Sequence, residues 1–156
     1  MNNLQDLPAV PGTYVLHLSV LPAQRVSVGR LGQQRFPSGD YFYVGSARGA
    51  GGVQARVGRH LRGDGARHWH IDYLRAVAEV QDVFYTVTDT PLECVWSQAL
   101  AQLSDAFIPV LHFGSSDCRS GCAAHLIAFP RYTDIPRVPH TLEPITSTPI
   151  DSLHYR

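Results

Sequence analysis

Lysine is missing altogether: all thirteen basic residues of the 156-residue chain are arginine. Its absence excludes a lysine Schiff base and a phosphate-binding P-loop lysine, so ionic contact with a partner must be guanidinium contact. A long apolar run is also missing, which argues against a membrane-spanning helix, and Met1-Asn2-Asn3-Leu4-Gln5-Asp6 lacks the basic and apolar regions of a signal peptide. The expected location is cytoplasmic, where the three cysteines would be reduced thiols. There is no internal repeat and no low-complexity tract, and the length suits a single domain.

The formal net charge is zero, but its distribution is uneven. Residues 25–75 hold nine arginines against Asp40, Asp64 and Asp72, whereas residues 76–156 hold four arginines against nine acids. One basic face is therefore expected, and clustered arginine points to phosphate. Arg48, Arg56, Arg59, Arg62 and Arg67 fall in one region punctuated by glycine. There, Gly49, Gly51 and Gly52 could bring backbone amides close to an anion. The partner these features predict is nucleic acid.

From Gly12 to Val20 the residues alternate, with Tyr14, Leu16, Leu18 and Val20 on one face, which reads as a strand. Tyr41 and Tyr43 share a face of a second strand, Asp40 to Val44, so antiparallel pairing would make Tyr14 and Tyr43 neighbours. Val53, Val57 and Leu61 recur at helical spacing, which brings Arg56 and His60 together one turn apart. The intervening stretch, where Arg25 to Val28 alternates and Gly29, Gly32, Pro37 and Gly39 punctuate, reads as an inserted hairpin or loop. A further helix is expected through Ile71, Leu74, Val77 and Val80, a third strand through Val83, Tyr85 and Val87, and a helix through Leu92, Trp96, Ala99, Leu100 and Leu103. A short segment near residues 126–129 follows. These elements predict an α+β domain over residues 1–129, a small antiparallel three-stranded sheet flanked by helices. Residues 130–156, with Pro136, Pro139, Pro144 and Pro149, read as an extended Pro-rich tail.

The order Gly12-Thr13-Tyr14, Tyr43-Val44-Gly45, a helix bearing Arg56 and His60, then Glu93 resembles the GIY-YIG nuclease superfamily. The chain looks most like its branch of small stand-alone domains, also found fused to DNA-repair glycosylases. That likeness rests further on Phe36-Pro37-Ser38-Gly39, His68-Trp69-His70-Ile71-Asp72-Tyr73-Leu74, Glu93-Cys94 and Phe113-Gly114-Ser115-Ser116-Asp117-Cys118, and it spans residues 10–129. The resemblance implies paired tyrosines at Tyr14 and Tyr43, with Tyr43 as the general base that activates water. It implies that Arg56 holds the scissile phosphate, that His60 lies near the reacting oxygens, and that Glu93 is the carboxylate ligand of one divalent metal, Mg²⁺ or another divalent cation. The implied activity is metal-dependent endonuclease cleavage of nucleic-acid phosphodiesters, DNA being the expected substrate. An Arg and a metal aimed at the phosphate oxygens lower the barrier as charge develops there. A non-catalytic nucleic-acid-binding module with the same sheet and arginine face is the other reading.

Three segments have more than one interpretation. Thr90-Pro91-Leu92-Glu93 reads as a capping box, in which Glu93 would bond backbone instead of metal. His68, His70 and Asp72 could form a phosphate, metal or base site, with Arg48, Arg59, Arg62 and Arg67 as further substrate contacts; alternatively they mark a capped helix start with packed aromatics. Cys118, Cys122 and His125 lie within eight residues and raise a zinc question, but without a tight Cys-x-x-Cys pair or an evident fourth ligand.

Overall fold

A computed structural model describes residues 4–63, 65–116, 118 and 120–155. Asp64, Asp117 and Arg119, which enter the charge count or the motif above, lie outside the described residues, as do Met1 to Asn3 and Arg156.

Strand β1, Gly12–Val20, is buried along nearly its whole length, because both faces of the sheet are covered. Its alternation divides two cores. Tyr14, Leu16, Leu18 and Val20 pack in one with Val53, Val57 and Leu61 of helix α1 (Gly52–Arg62), while Val15 joins Trp96 and Leu100 of helix α3 (Glu93–Ala101) in the other. Strand β4, Gly39–Ala47, repeats the division, with Tyr41 and Tyr43 on the first face and Phe42 and Val44 on the second. The chain between them forms a separate antiparallel hairpin, β2 (Gln24–Ser27) with β3 (Gln33–Phe36), so the inserted stretch is a hairpin.

The fold class is α+β, but the sheet is larger than three strands. β4, β1 and β5 (Glu79–Val87) form its centre, and β6 (Leu126–Pro130) and β7 (Asp151–His154) extend it to the order β6-β4-β1-β5-β7, with every pairing antiparallel. The expectation of an extended tail is corrected by the same finding. After β6, helix α4 (Val138–Leu142) buries Val138 and Leu142 in the second core, the Trp96 indole donates to Thr146 Oγ1 at 2.9 Å, and Leu153 pairs with Val83. Two of the four prolines that suggested an extended chain, Pro139 and Pro144, instead start short helical turns: α4 and the 3₁₀ turn Glu143–Ile145 each have Pro in the first two positions, where its missing N–H costs nothing.

Helix α2 is shorter than its apolar spacing predicts, His70–Arg75. Val80 is a buried strand residue of β5 and Val77 is exposed, so the last two apolar positions do not belong to the helical stripe. Among the described residues no helix is long and apolar enough to cross a membrane.

Candidate functional site

The register of β1 against β4 places Tyr14 opposite Gly45 and Leu16 opposite Tyr43. The two tyrosines are thus diagonal neighbours on one face, their ring centroids 6.5 Å apart. Gly45 makes this possible: a Cβ there would lie 2.4 Å from Tyr14 Cζ and Oη, so the Tyr14 ring crosses β4 where a side chain is missing. From α1, His60 completes the cluster. Its Nε2 is 2.8 Å from Tyr14 Oη, and its ring is 5.7 Å from that of Tyr14 and 6.1 Å from that of Tyr43. Arg56, one turn earlier, brings its charge near the Tyr14 hydroxyl, donates to the Ser46 carbonyl at 3.1 Å and lies 4.3 Å above the Trp69 ring.

Burial dominates the titration of this cluster. It raises Tyr14 well above the usual phenol range and pushes Tyr43 up to about 12, helped by the charges of Asp72 and Glu93 and opposed by Arg56. His60 is pulled down to about 4, mainly by burial, so its imidazole is neutral.

Asp72 organises the neighbouring helix start. It accepts from both terminal nitrogens of Arg59, at 3.3 and 3.1 Å, and from the backbone N–H groups of His68 and Trp69, at 2.8 and 2.9 Å. Burial opposes the charged carboxyl, but these bonds outweigh it and hold the Asp72 pKa below its ordinary value. Of the two interpretations of this segment, the capped helix start with packed aromatics is the one realised. Trp69 is partly buried, with the Arg59 guanidinium 4.3 Å above its ring as well as Arg56. His70 Nδ1 accepts from the Gly114 N–H at 2.8 Å, while His68 is exposed with its ring 5.0 Å from that of Trp69.

The capping box at Thr90 does not form. Helix α3 begins at Glu93 with Leu92 as N-cap and no side-chain cap bond, and Thr90 donates its N–H to Thr88 Oγ1 instead, at 3.0 Å. Glu93 therefore lies half-buried on a cleft of about 490 Å³ shared with Cys94, Gln98, Gly114 and His125. Its charge reaches Tyr43 and raises its pKa. Gly114 is the wall between: at φ +74° it packs so closely that a Cβ would lie 2.9 Å from the Tyr43 ring.

The five residues cluster, yet they do not line one open pocket. Tyr14 and Tyr43 are 1% and 7% exposed. Arg56 and Arg59 border a cavity of about 190 Å³ beside Gly49 and Gly52, His60 borders another of about 200 Å³ with Arg59, Arg67 and Arg75, and Glu93 lies on the third. Of the three glycine amides, that of Gly52 donates to the Gly49 carbonyl, and the next two residues, Val53 and Gln54, donate to the Val10 and Pro8 carbonyls. Arg48, Arg62 and Arg67 are exposed, while Arg59 and Arg75 are drawn inward, Arg75 by the His60, Leu61 and Ala78 carbonyls.

A second cluster adjoins Glu93. Cys94, Cys118, Cys122 and His125 gather their donor atoms within 4.8 Å of one another, Cys94 and Cys122 being joined as a disulfide. Cys94 gave no signal in the sequence, because it lies far from the Cys118 to His125 group and sulfur spacing cannot reveal a partner from another element.

A family model described as "Domain of unknown function DUF123" matches residues 13–145. No curated protein and no solved structure matches the chain.

Proposed function

The chain belongs to the DUF123 family, and from its own geometry we propose that it is a metal-dependent endonuclease hydrolysing DNA phosphodiesters. The reading rests on one observation: the Tyr14, Tyr43 and His60 rings meet, with Arg56 one turn from His60 on α1 and Glu93 on the cleft whose Gly114 packs against the Tyr43 ring. The resemblance to GIY-YIG nucleases assigns roles to the same five residues.

In this reading Arg56 holds the scissile phosphate, its guanidinium already oriented by Ser46 and Trp69. Tyr14 fixes His60 through its hydroxyl, with the Arg56 charge nearby. Glu93 suits Mg²⁺: its carboxylate is half-buried on a cleft, is not used as a helix cap, and one carboxylate with waters satisfies that ion. A divalent cation bound there supplies Lewis-acid stabilisation and offsets the carboxylate charge that raises Tyr43. Tyr43 is the general base, and Arg56 favours its ionised form. Arg48, Arg62 and Arg67 carry the flanking phosphates.

The near-complete burial of both tyrosines favours a second reading, a nucleic-acid-binding module whose tyrosine cluster is only core. An assay on single- and double-stranded DNA and RNA, with Mg²⁺ or with EDTA, separates them. Cleavage that needs Mg²⁺ supports the enzyme; binding without cleavage on any substrate supports the module and removes the enzyme.

A further inference from the structure

Between α3 and β6 the described residues form no helix or strand over some twenty positions, yet Val110, Phe113, Cys122 and Ala124 in this segment are buried. A loop of that length inside a compact domain needs a fastening. The sulfurs and the imidazole are where the fastening converges. Cys118 Sγ lies 2.8 Å from Cys94 Sγ and 3.3 Å from Cys122 Sγ, and His125 Nε2 lies 3.0 Å from Cys122 Sγ and 3.5 Å from Cys94 Sγ. Cys122 and His125 are 7% and 8% exposed.

We propose that Cys94, Cys118, Cys122 and His125 form a structural zinc site. Three thiolates and one imidazole are the donor set that selects this ion over harder cations. The Cys94–Cys122 disulfide must first be opened: a thiol reductant supplies two electrons, leaves as its own disulfide, and frees both sulfurs as ligands. Tetrahedral coordination with Zn–S bonds of about 2.3 Å then puts sulfurs about 3.8 Å apart, which small side-chain rotations give from donors already within 4.8 Å of one another. The disulfide engages two of the four groups, whereas one ion engages all. With four protein ligands the site is closed, so its role is structural rather than catalytic.

The site fastens two parts of the molecule. Cys94 lies in the first turn of α3 next to Glu93, while the other three ligands come from the loop that carries Gly114 against the Tyr43 ring. Zinc would thus hold Glu93 and Tyr43 in fixed relation. The inference itself does not depend on cleavage, because metal content is read independently of it.

The test is elemental analysis of the full chain purified under reducing conditions, followed by metal removal and titration with Co²⁺. About one equivalent of zinc per chain is expected, and cobalt should produce thiolate charge-transfer and tetrahedral ligand-field absorption. Cys118→Ser separates zinc from the disulfide, since it spares Cys94 and Cys122: zinc retention against a chelator should weaken about tenfold or more. Zinc below about a tenth of an equivalent with no cobalt spectrum would overturn the site, as would Cys118→Ser protein that holds zinc like the wild type. Should that variant fail to fold, the cobalt titration of the unaltered chain decides alone.

Discussion

Tyr14 and His60 share a 2.8 Å hydrogen bond across 46 positions of sequence, with neither residue more than 2% exposed. Asp72 Oδ1 stands 3.9 Å from His60 Nδ1. A carboxylate on that side favours the tautomer with its proton on Nδ1, which leaves Nε2 to accept from the Tyr14 hydroxyl. The Arg56 charge nearby in turn favours the ionised Tyr14 oxygen. One phenol thereby ties His60 of α1 to the central strand.

Removing that phenol tests the connection. Tyr14→Phe leaves Nε2 without its partner, and Nδ1 already has no hydrogen bond. Stability should fall by about 1–3 kcal/mol, the cost of a buried unsatisfied polar group. Urea denaturation near neutral pH measures it, and a loss under about 0.5 kcal/mol would show the bond to be energetically idle.

His60 also dictates a pH dependence. Its pKa in the folded chain is about 4, against 6.5 as the ordinary value, so the unfolded chain takes up the proton first as pH falls. Above about 6.5 the contribution is complete; it declines between about 6.5 and about 4, by about 3 kcal/mol from this group, and is then exhausted. Asp72, its pKa lowered, adds a further loss at lower pH. Denaturation across this window should show a steeper decline in the wild type than in His60→Gln, and parallel curves would refute the assignment.

Gly45→Ala should be among the most damaging single-methyl changes in the chain. The added Cβ would meet Tyr14 Cζ and Oη at 2.4 Å, and the buried ring has nowhere to retreat, so a loss of about 1–3 kcal/mol is expected. Gly49→Ala is the control, since a Cβ there meets nothing within 4 Å. Thermal denaturation of both variants should separate them clearly.

Local periodicity made much of this legible in advance. The alternation of Tyr14 with Leu16 and of Tyr41 with Tyr43, and the Arg56 to His60 spacing, carried the central strands and α1, because each is set by side chains on a single element. What the sequence could not carry was contact between elements. Leu153 looks like a tail residue until β5 offers it a strand edge, and Cys94 looks isolated until the loop folds back on α3. Glu93 had a cap reading beside the metal role that the resemblance implies, because Thr90 and Pro91 precede it, yet the helix starts later and the carboxylate faces a cleft.

Binding to nucleic acid should be strongly salt-dependent and rest on exposed arginine. Arg62 and Arg67 are exposed, whereas Arg59 is held by Asp72. Replacing Arg62 and Arg67 by Gln should weaken DNA binding and lower the slope of log affinity against log salt by about one for each arginine. Arg59→Gln should act mainly on stability, because Asp72 loses its bidentate partner. Fluorescence anisotropy at two salt concentrations checks the binding and thermal denaturation the stability, and a salt-insensitive affinity would remove nucleic acid as the partner.

Glu93→Gln divides the enzyme from the binding module. The fold should tolerate it, because Leu92 and not Glu93 occupies the N-cap of α3 and no capping box depends on the carboxylate. Glutamine is neutral and ligates a hard cation poorly, so Mg²⁺-dependent cleavage should drop about a hundredfold. DNA affinity should hardly change, since in the proposed reading the phosphate contacts come from arginine. The substitution also removes a charge that raises Tyr43, so the Tyr43 pKa should move down, which ultraviolet titration of the phenols can follow. Wild-type cleavage with undiminished Glu93→Gln cleavage would exclude the carboxylate as metal ligand. A fall in cleavage with unchanged melting temperature and unchanged DNA affinity would place Glu93 in the chemistry itself.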